Sequence, residues 1–238
     1  MFESKSGVFL IAGLGFFLLA FLSNGVVPWI MYANMPEKTL EQIVKEQLQR
    51  QEASKAGPNW TVVDYFQNLK EYYPESFKKH YGKEEFERKR VSLDKSVEAI
   101  RVGHKAYVAE ACWHCHSQFV RPVSNEERRW GPVSQSWEYQ NELQKPVLFG
   151  TRRVGPDLTR EGGRRSNDWH ATHFYKPRWT SPQSVMPEYS WFFDGEPGLP
   201  NERGLGLIMY MQYLGSWMDG YPTMIPEKLK VPNQGGEK

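Results

Sequence analysis

Cysteine is scarce in this chain of 238 residues, and both copies stand in one run, Cys112-Trp113-His114-Cys115-His116. Two thiols one helical turn apart, followed at once by a histidine, have the spacing of a covalent haem c site. The thiols can form thioethers with the two vinyl groups of a porphyrin, and the imidazole then reaches the iron as an axial ligand. No cysteine remains for a structural disulfide. Two other chemistries use the same residue types. A redox dithiol of the thioredoxin kind belongs in a βαβ pattern, which this sequence lacks. A zinc site could draw on Cys112, Cys115, His170 and His173, but its His-x-x-His half is shorter than the usual spacing and lies too far away for a finger. The sequence predicts one covalently held haem c, with His116 on the iron.

A second axial ligand must come from elsewhere. Of eight methionines, Met186 is best placed. It lies in the loop Ser181-Pro-Gln-Ser-Val-Met-Pro-Glu-Tyr189, whose prolines lower the entropy lost in holding a thioether on iron. Met209 and Met211 fall inside a helical pattern and read as core filler. Met35 lies at the membrane boundary, and Met218 and Met224 lie beyond the helix. His170 and His173 are the rival ligands. Gly155-Pro156-Asp157-Leu158 resembles the Gly-Pro-x-Leu turn of class I cytochromes c, a resemblance that implies a bond from the axial histidine to the Pro156 carbonyl. Arg152, Arg153, Arg164 and Arg165 bracket that turn. They read either as solubilising charges or, with Arg164 foremost, as partners of the haem propionates.

The elements that must position these residues are helical. Val97, Ile100, Tyr107, Val108 and Ala111 mark a helix running from about Leu93 into the haem motif. Asn201 can cap a second helix carrying Leu207, Tyr210, Met211, Leu214 and Trp217. Gly103 on the first, and Gly204 and Gly206 on the second, are small residues where two helices could approach closely. No alternating strand pattern interrupts them, so the fold class is mainly α, a class I-like cytochrome c domain behind an N-terminal transmembrane helix. Gly7 to Val27 carries no charge, and the apolar character runs on to Ala33, long enough to cross the roughly 30 Å hydrocarbon core. Trp29 and Tyr32 stand where interfacial aromatics belong. A cleaved signal would have a shorter apolar core and a small-x-small site, so an uncleaved anchor is expected. Between anchor and cytochrome, residues 39–56 have helical spacing ended by Pro58. An aromatic-rich stretch follows, and the run Lys83 to Arg90 reads as a solvated, ion-paired helix. The net charge of +2, with interspersed signs, gives no indication of nucleic acid. The expected organisation is anchor 1–35, polar helical extension 36–92, mono-haem cytochrome c domain 93–222 and tail 223–238.

The run Gly103-x3-Tyr107-x4-Cys112-x-x-Cys115-His116-Ser117-Gln118-x-x-Arg121-Pro122 continues in Gly155-Pro156-Asp157-Leu158, Gly162-Gly163-Arg164, Asp168-Trp169-His170, Pro177-Arg178 and Met186-Pro187. Together these resemble the mono-haem subunit of cbb3-type cytochrome c oxidase. Cys-His-Ser-Gln-x-x-Arg-Pro is not general to cytochromes c, and the 36–92 segment is longer than the connector usual in that family. The resemblance implies a respiratory electron-transfer subunit, part of a terminal oxidase, with no bond chemistry of its own. Its site would be Cys112, Cys115, His116, Met186, Pro156 and Arg164. Its partners would be a haem–copper catalytic subunit and a di-haem cytochrome c subunit or a soluble cytochrome c. It would sit in the bacterial inner membrane by one span, with the haem domain in the periplasm. The alternatives are the cytochrome c subunit of a nitric oxide reductase-like complex and a free-standing anchored electron shuttle.

Overall fold

The computed structural model describes residues 2–33, 35–53, 60–196 and 198–218. Expectations for Pro58, Met224, the end of the cytochrome domain at 222 and the tail 223–238 lie outside the described residues. The chain divides into two compact units, 1–37 and 38–238.

The first unit is helical: α1 (Phe2–Phe21), a π-helical turn at Leu22–Val26, and α2 (Val27–Ala33). Lys5–Ala33 is a candidate membrane span of 29 residues, roughly 43 Å at 1.5 Å per residue and longer than the hydrocarbon core requires. Its large apolar side chains, among them Phe9, Leu10 and Phe16, all point outward. In water that exposure would be costly, and a lipid environment removes the cost.

The second unit contains α3 (Leu40–Ala53), α4 (Val62–Tyr72), α5 (Pro74–Tyr81), α6 (Lys83–Glu87), α7 (Leu93–Ala109), α8 (Cys112–Cys115), α9 (Glu126–Trp130), α10 (Asn167–Tyr175), α11 (Pro177–Thr180) and α12 (Glu202–Tyr213). Among the described residues there is no strand, only two isolated bridges. The fold is mainly helical.

α7 and α12 cross where Gly103 meets Gly206. A Cβ on Gly103 would lie 1.9 Å from the Gly206 carbonyl oxygen, so only glycine permits this approach. Gly204 has a different partner: a Cβ there would strike the Phe192 carbonyl oxygen at 2.3 Å, on the loop before α12. Asn201 caps α12 through Gly204 N, and Ser92 caps α7 through Lys95 N. α12 is buried around its whole circumference from Gly204 to Tyr213, because α7, α4 and α10 all pack on it. On α7 the buried residues are Ser96, Val97, Ala99, Ile100, Gly103, Ala106 and Tyr107. Val108 faces solvent, and Ala111 lies past the helix at φ 54. The glycine and alanines carry the contact face that larger residues would have obstructed.

The segment ahead of α7 packs into the same core. Leu40, Ile43 and Val44 of α3, Phe66 and Leu69 of α4, and Phe77 of α5 are buried in one cluster with Tyr107 and Tyr210. Phe66, Phe77 and Tyr81 form an aromatic triad with ring centroids 4.8 to 4.9 Å apart. Burying one such ring contributes about 1.5–3 kcal/mol. The charged run behaves differently from expectation. α6 is only five residues long, and although Lys83 pairs with Glu87 at 3.5 Å, Glu85 is buried. Its carboxylate accepts from Ser92 N at 2.5 Å and pairs with Arg88 at 3.1 Å, which anchors the turn into α7.

Candidate haem site

A cavity of about 450 Å³ opens beside α8, within the size range of small-molecule and cofactor sites. Cys112, Cys115, His116 and Met186 all line it, with Pro156 and Arg164. The residues singled out in sequence therefore converge, although 70 positions separate His116 from Met186.

The His116 wall is built by local backbone bonds. Ala111, left-handed at φ 54, starts the single turn of α8 that presents both cysteines on one side. His114 O accepts from Thr151 N and Arg152 N at 3.1 and 2.8 Å. Cys115 O accepts from Gly155 N at 3.0 Å, and Ser117 O from Leu158 N at 2.8 Å. The two segments thus run side by side, and His116 Nδ1 lies 3.0 Å from the Pro156 carbonyl oxygen, to which it donates. Gly155 is the floor under the ring: a Cβ there would lie 2.3 Å from His116 Cε1. Asp157 staples the pair, accepting from Ser117 Oγ at 2.5 Å, Phe119 N at 2.8 Å and Thr159 N at 2.9 Å. Burial lowers the His116 pKa, against the opposing effects of the Pro156 bond and Asp157. A neutral, oriented imidazole is what metal ligation requires.

A second wall comes from α10 and the loop after it. His170, His173, Phe174 and Met186 line it, with Leu207 and Met211 from α12. Met186 is half-buried against the core, held by its N–H to Ser184 Oγ at 3.2 Å. His173 Nδ1 lies 2.6 Å from Thr180 Oγ1, whose own proton goes to Pro177 O at 3.1 Å. Nδ1 is then the donor and Nε2 keeps its lone pair. Met211 is core, as expected, but it also reaches the cavity. Met209, fully buried, does not line the cavity.

The bracketing arginines separate. Arg153 is buried, bonded to Ser117 Oγ at 2.9 Å and paired with Glu126, so it serves the loop. Arg164 and Arg165 line the cavity, and Arg165 stacks over Trp169 at 4.9 Å. Arg152 is exposed and does not line the cavity. Sequence reading passes over Arg129 and Trp130, which join the wall from α9 with the guanidinium 4.3 Å over the indole. Nothing local marks them, since tertiary contacts such as the Arg153–Glu126 pair and Arg153 over the Trp130 ring at 5.3 Å hold α9 at the cavity. Glu161 is also passed over. It is buried at the cavity, and desolvation pushes its carboxyl up to about 7 despite Arg164 and Arg165.

These residues fit a haem: paired thiols on one turn, an oriented imidazole, a thioether on the same cavity, apolar lining residues and guanidinium groups. They fit the other chemistries poorly. Burial, with Glu110 nearby, pushes the Cys112 thiol up to about 12, whereas dithiol and zinc chemistry need thiolate. Among the described residues no group of three or more His, Cys, Asp or Glu is arranged to hold a metal ion.

Residues 83–203 match the family described as "Cytochrome C oxidase, mono-heme subunit/FixO", just over half of the chain. The chain belongs to that family of mono-haem cytochrome c oxidase subunits. It is a component of an oxidoreductase complex that includes a catalytic subunit, and the family carries one haem. No curated protein matched the chain. The family match begins at Lys83, so α3, α4 and α5 lie outside it.

Proposed function

We propose that this chain is the electron-transfer subunit of a cbb3-type haem–copper oxidase, holding one haem c by thioethers to Cys112 and Cys115. The observation that carries the reading is the meeting of those cysteines, His116 and Met186 on one cavity inside the family-matched region. Bound haem supplies reversible one-electron chemistry. His116, its ring fixed by Pro156 and Gly155, would ligate the haem iron. Met186 would supply a second ligand, and His/Met ligation would favour a high reduction potential. Arg164, on the cavity lining, would pair with the propionates. The apolar walls from α10 and α12 limit water around the iron. Residues 7–33 hold the chain in the bacterial inner membrane, with everything after residue 35 in the periplasm, where thioether attachment occurs. A di-haem subunit or soluble cytochrome c donates the electron, and the haem–copper subunit receives it.

A second assignment of the sixth ligand has its own observation. His173 carries an anchored Nδ1, as His116 does, and a free Nε2 lone pair on the cavity wall. Replacing Met186 and, separately, His173 discriminates the two: only loss of the true ligand opens a coordination site. The complex-level reading is tested by purification in mild detergent with determination of haem types and copper. Haem b with copper supports the cbb3-type oxidase. Haem b with non-haem iron points to a nitric oxide reductase, and haem c alone to a free-standing shuttle.

A further inference from the structure

The anchor carries a polar break inside the bilayer. Ser23, Asn24 and Gly25 lie in the π-helical turn Leu22–Val26, within the Lys5–Ala33 span. Pro28 accounts for the break. In a regular helix its ring would press on the Asn24 carbonyl, four residues back. The chain widens instead, and Val27 N–H bonds to Leu22 O, five residues back rather than four. Pro28 still has no N–H to give, so the backbone ladder lacks one donor at this turn. Ser23 returns its hydroxyl to Ala20 O at 3.3 Å. Asn24 does not: its amide is exposed and makes no hydrogen bond among the described residues. Beside it the backbone is open, since a Cβ on Gly25 would meet only the Phe21 ring, at 3.8 Å.

Depth makes that amide a demand for a partner. Trp29 and Tyr32 mark the interface, and Asn24 lies five residues before Trp29, roughly 7 Å deeper. Its side chain is too short to reach the headgroups as lysine or arginine does. Hydrocarbon offers no water to an unpaired amide, so polar groups at such depth face protein rather than lipid. No residue of the turn is buried, so the cover comes from another chain. Open sheet edges and loops do not occur in lipid, which leaves a helix as the neighbour. Asparagine is one of the side chains that bond across such helix pairs. The family to which this chain belongs assembles with a catalytic subunit, and that subunit is the partner the complex supplies.

We infer that Asn24, in the open turn before Pro28, docks the anchor on a transmembrane helix of the catalytic subunit by a hydrogen bond across the interface. The inference rests on the membrane span and the oxidase reading above. The test compares wild type, Asn24→Leu and Asn24→Gln, purified in mild detergent through a tag on the catalytic subunit. Wild type is measured first. A chain washed from membranes by carbonate sinks the span, and a wild-type complex without haem b and copper sinks the oxidase reading. With both in place, the readout is haem c per haem b, beside the haem-stained chain in carbonate-washed membranes. Asn24→Leu should lower the ratio about three- to tenfold, the range for one interhelical hydrogen bond, with membrane-held chain at wild-type level. Asn24→Gln should restore most of the ratio. An unchanged ratio in Asn24→Leu overturns the inference. Equal losses in both variants also overturn it, because they report packing rather than a hydrogen bond. Loss of Asn24→Leu from the membranes overturns it in favour of a role in insertion. A haem b-free dimer of the wild-type chain on a native gel, dissolved by Asn24→Leu, assigns the turn to a second copy and overturns it too.

Discussion

The two walls of the cavity are held in different ways. The His116 wall is a loop-to-loop ladder between residues 114–119 and 150–159, closed by main-chain bonds and by the Asp157 carboxylate. The α10 wall has no such ladder. It hangs on side chains from distant elements: Asn167 Nδ2 donates to Tyr65 O and Asn68 Oδ1, both at 2.9 Å. Gln212 Nε2 donates to Asn167 Oδ1 at 3.1 Å and to Arg165 O at 2.8 Å. Tyr73 OH donates to Asp168 Oδ1 at 3.3 Å. The extension ahead of α7 therefore braces the wall that carries His170, His173 and the loop to Met186. One wall is rigid by its own sequence, and the other depends on residues about a hundred positions away. Main-chain bonds survive most substitutions, whereas a side-chain brace can be removed one residue at a time.

The largest effect is expected on the first wall. The double variant Cys112→Ala, Cys115→Ala should lose all covalently bound haem in a denaturing haem-stained gel, because no other cysteine can replace a thioether. Retention of normal covalent haem would remove the basis for treating this wall as the attachment side. The Met186→Ala variant breaks the comparison from the other direction. It should keep its haem stain, open a coordination site and lower the reduction potential, since the thioether favours ferrous iron. Met209→Ala, buried but off the cavity, should leave the potential alone and cost about 2–5 kcal/mol of stability. If the Met209 variant loses the ligand signature and the Met186 variant keeps it, the assignment of the α10 wall is wrong.

This asymmetry also explains what was legible in sequence. Cys112, Cys115, His116 and Pro156 lie in two short motifs whose spacing is itself the geometry, so they could be read directly. The α7–α12 crossing was legible because Gly103 and Gly206 leave a gap only another backbone fills. Met186 was legible by position, as a proline-flanked methionine before the last helix. Gly204 was misassigned to the crossing because a glycine does not state which neighbour approaches it. Val108 reads with the apolar residues that mark α7, yet it faces solvent, because hydrophobicity alone does not state which side of a helix is the contact face. Glu85, Arg129 and Glu161 were invisible as special positions: charged residues read as solvated, and only tertiary packing buries Glu85 and Glu161 and brings the exposed Arg129 to the cavity. The brace was invisible for the same reason, since Asn68, Tyr73 and Asn167 have no local pattern that pairs them.

Glu161 gives a pH test on the arginine side of the cavity. Its folded pKa is raised from 4.5 to about 7, chiefly by burial. The folded state then binds a proton that the unfolded state releases between those values, so stability falls as pH rises through this window. The full difference is about 3 kcal/mol. Glu161→Gln should flatten the urea-unfolding stability between pH 4.5 and about 7, with the wild type losing stability relative to the variant as pH rises. An identical pH dependence in both proteins would show that this carboxyl stays solvated and that the cavity is wetter than its lining implies.

The smallest effect probes the brace alone. Tyr73 is buried, but its acceptor Asp168 is exposed, so removing the hydroxyl leaves a carboxylate that water can still solvate. Tyr73→Phe should therefore cost about 0.5–1.5 kcal/mol, the net value of an ordinary hydrogen bond. Asn167 is different, being 1% exposed and bonded to partners on both α4 and α12. Asn167→Ala strands the buried Gln212 amide on α12 and half-buried groups on α4, and should cost more than Tyr73→Phe, up to about 3 kcal/mol. If the brace positions the α10 wall, the Asn167 variant should also shift the reduction potential while its haem stain remains at wild-type level. A stability loss with an unchanged potential would show that the extension supports the fold without setting the geometry at the iron, and the contrast between the two walls would then be one of stability only.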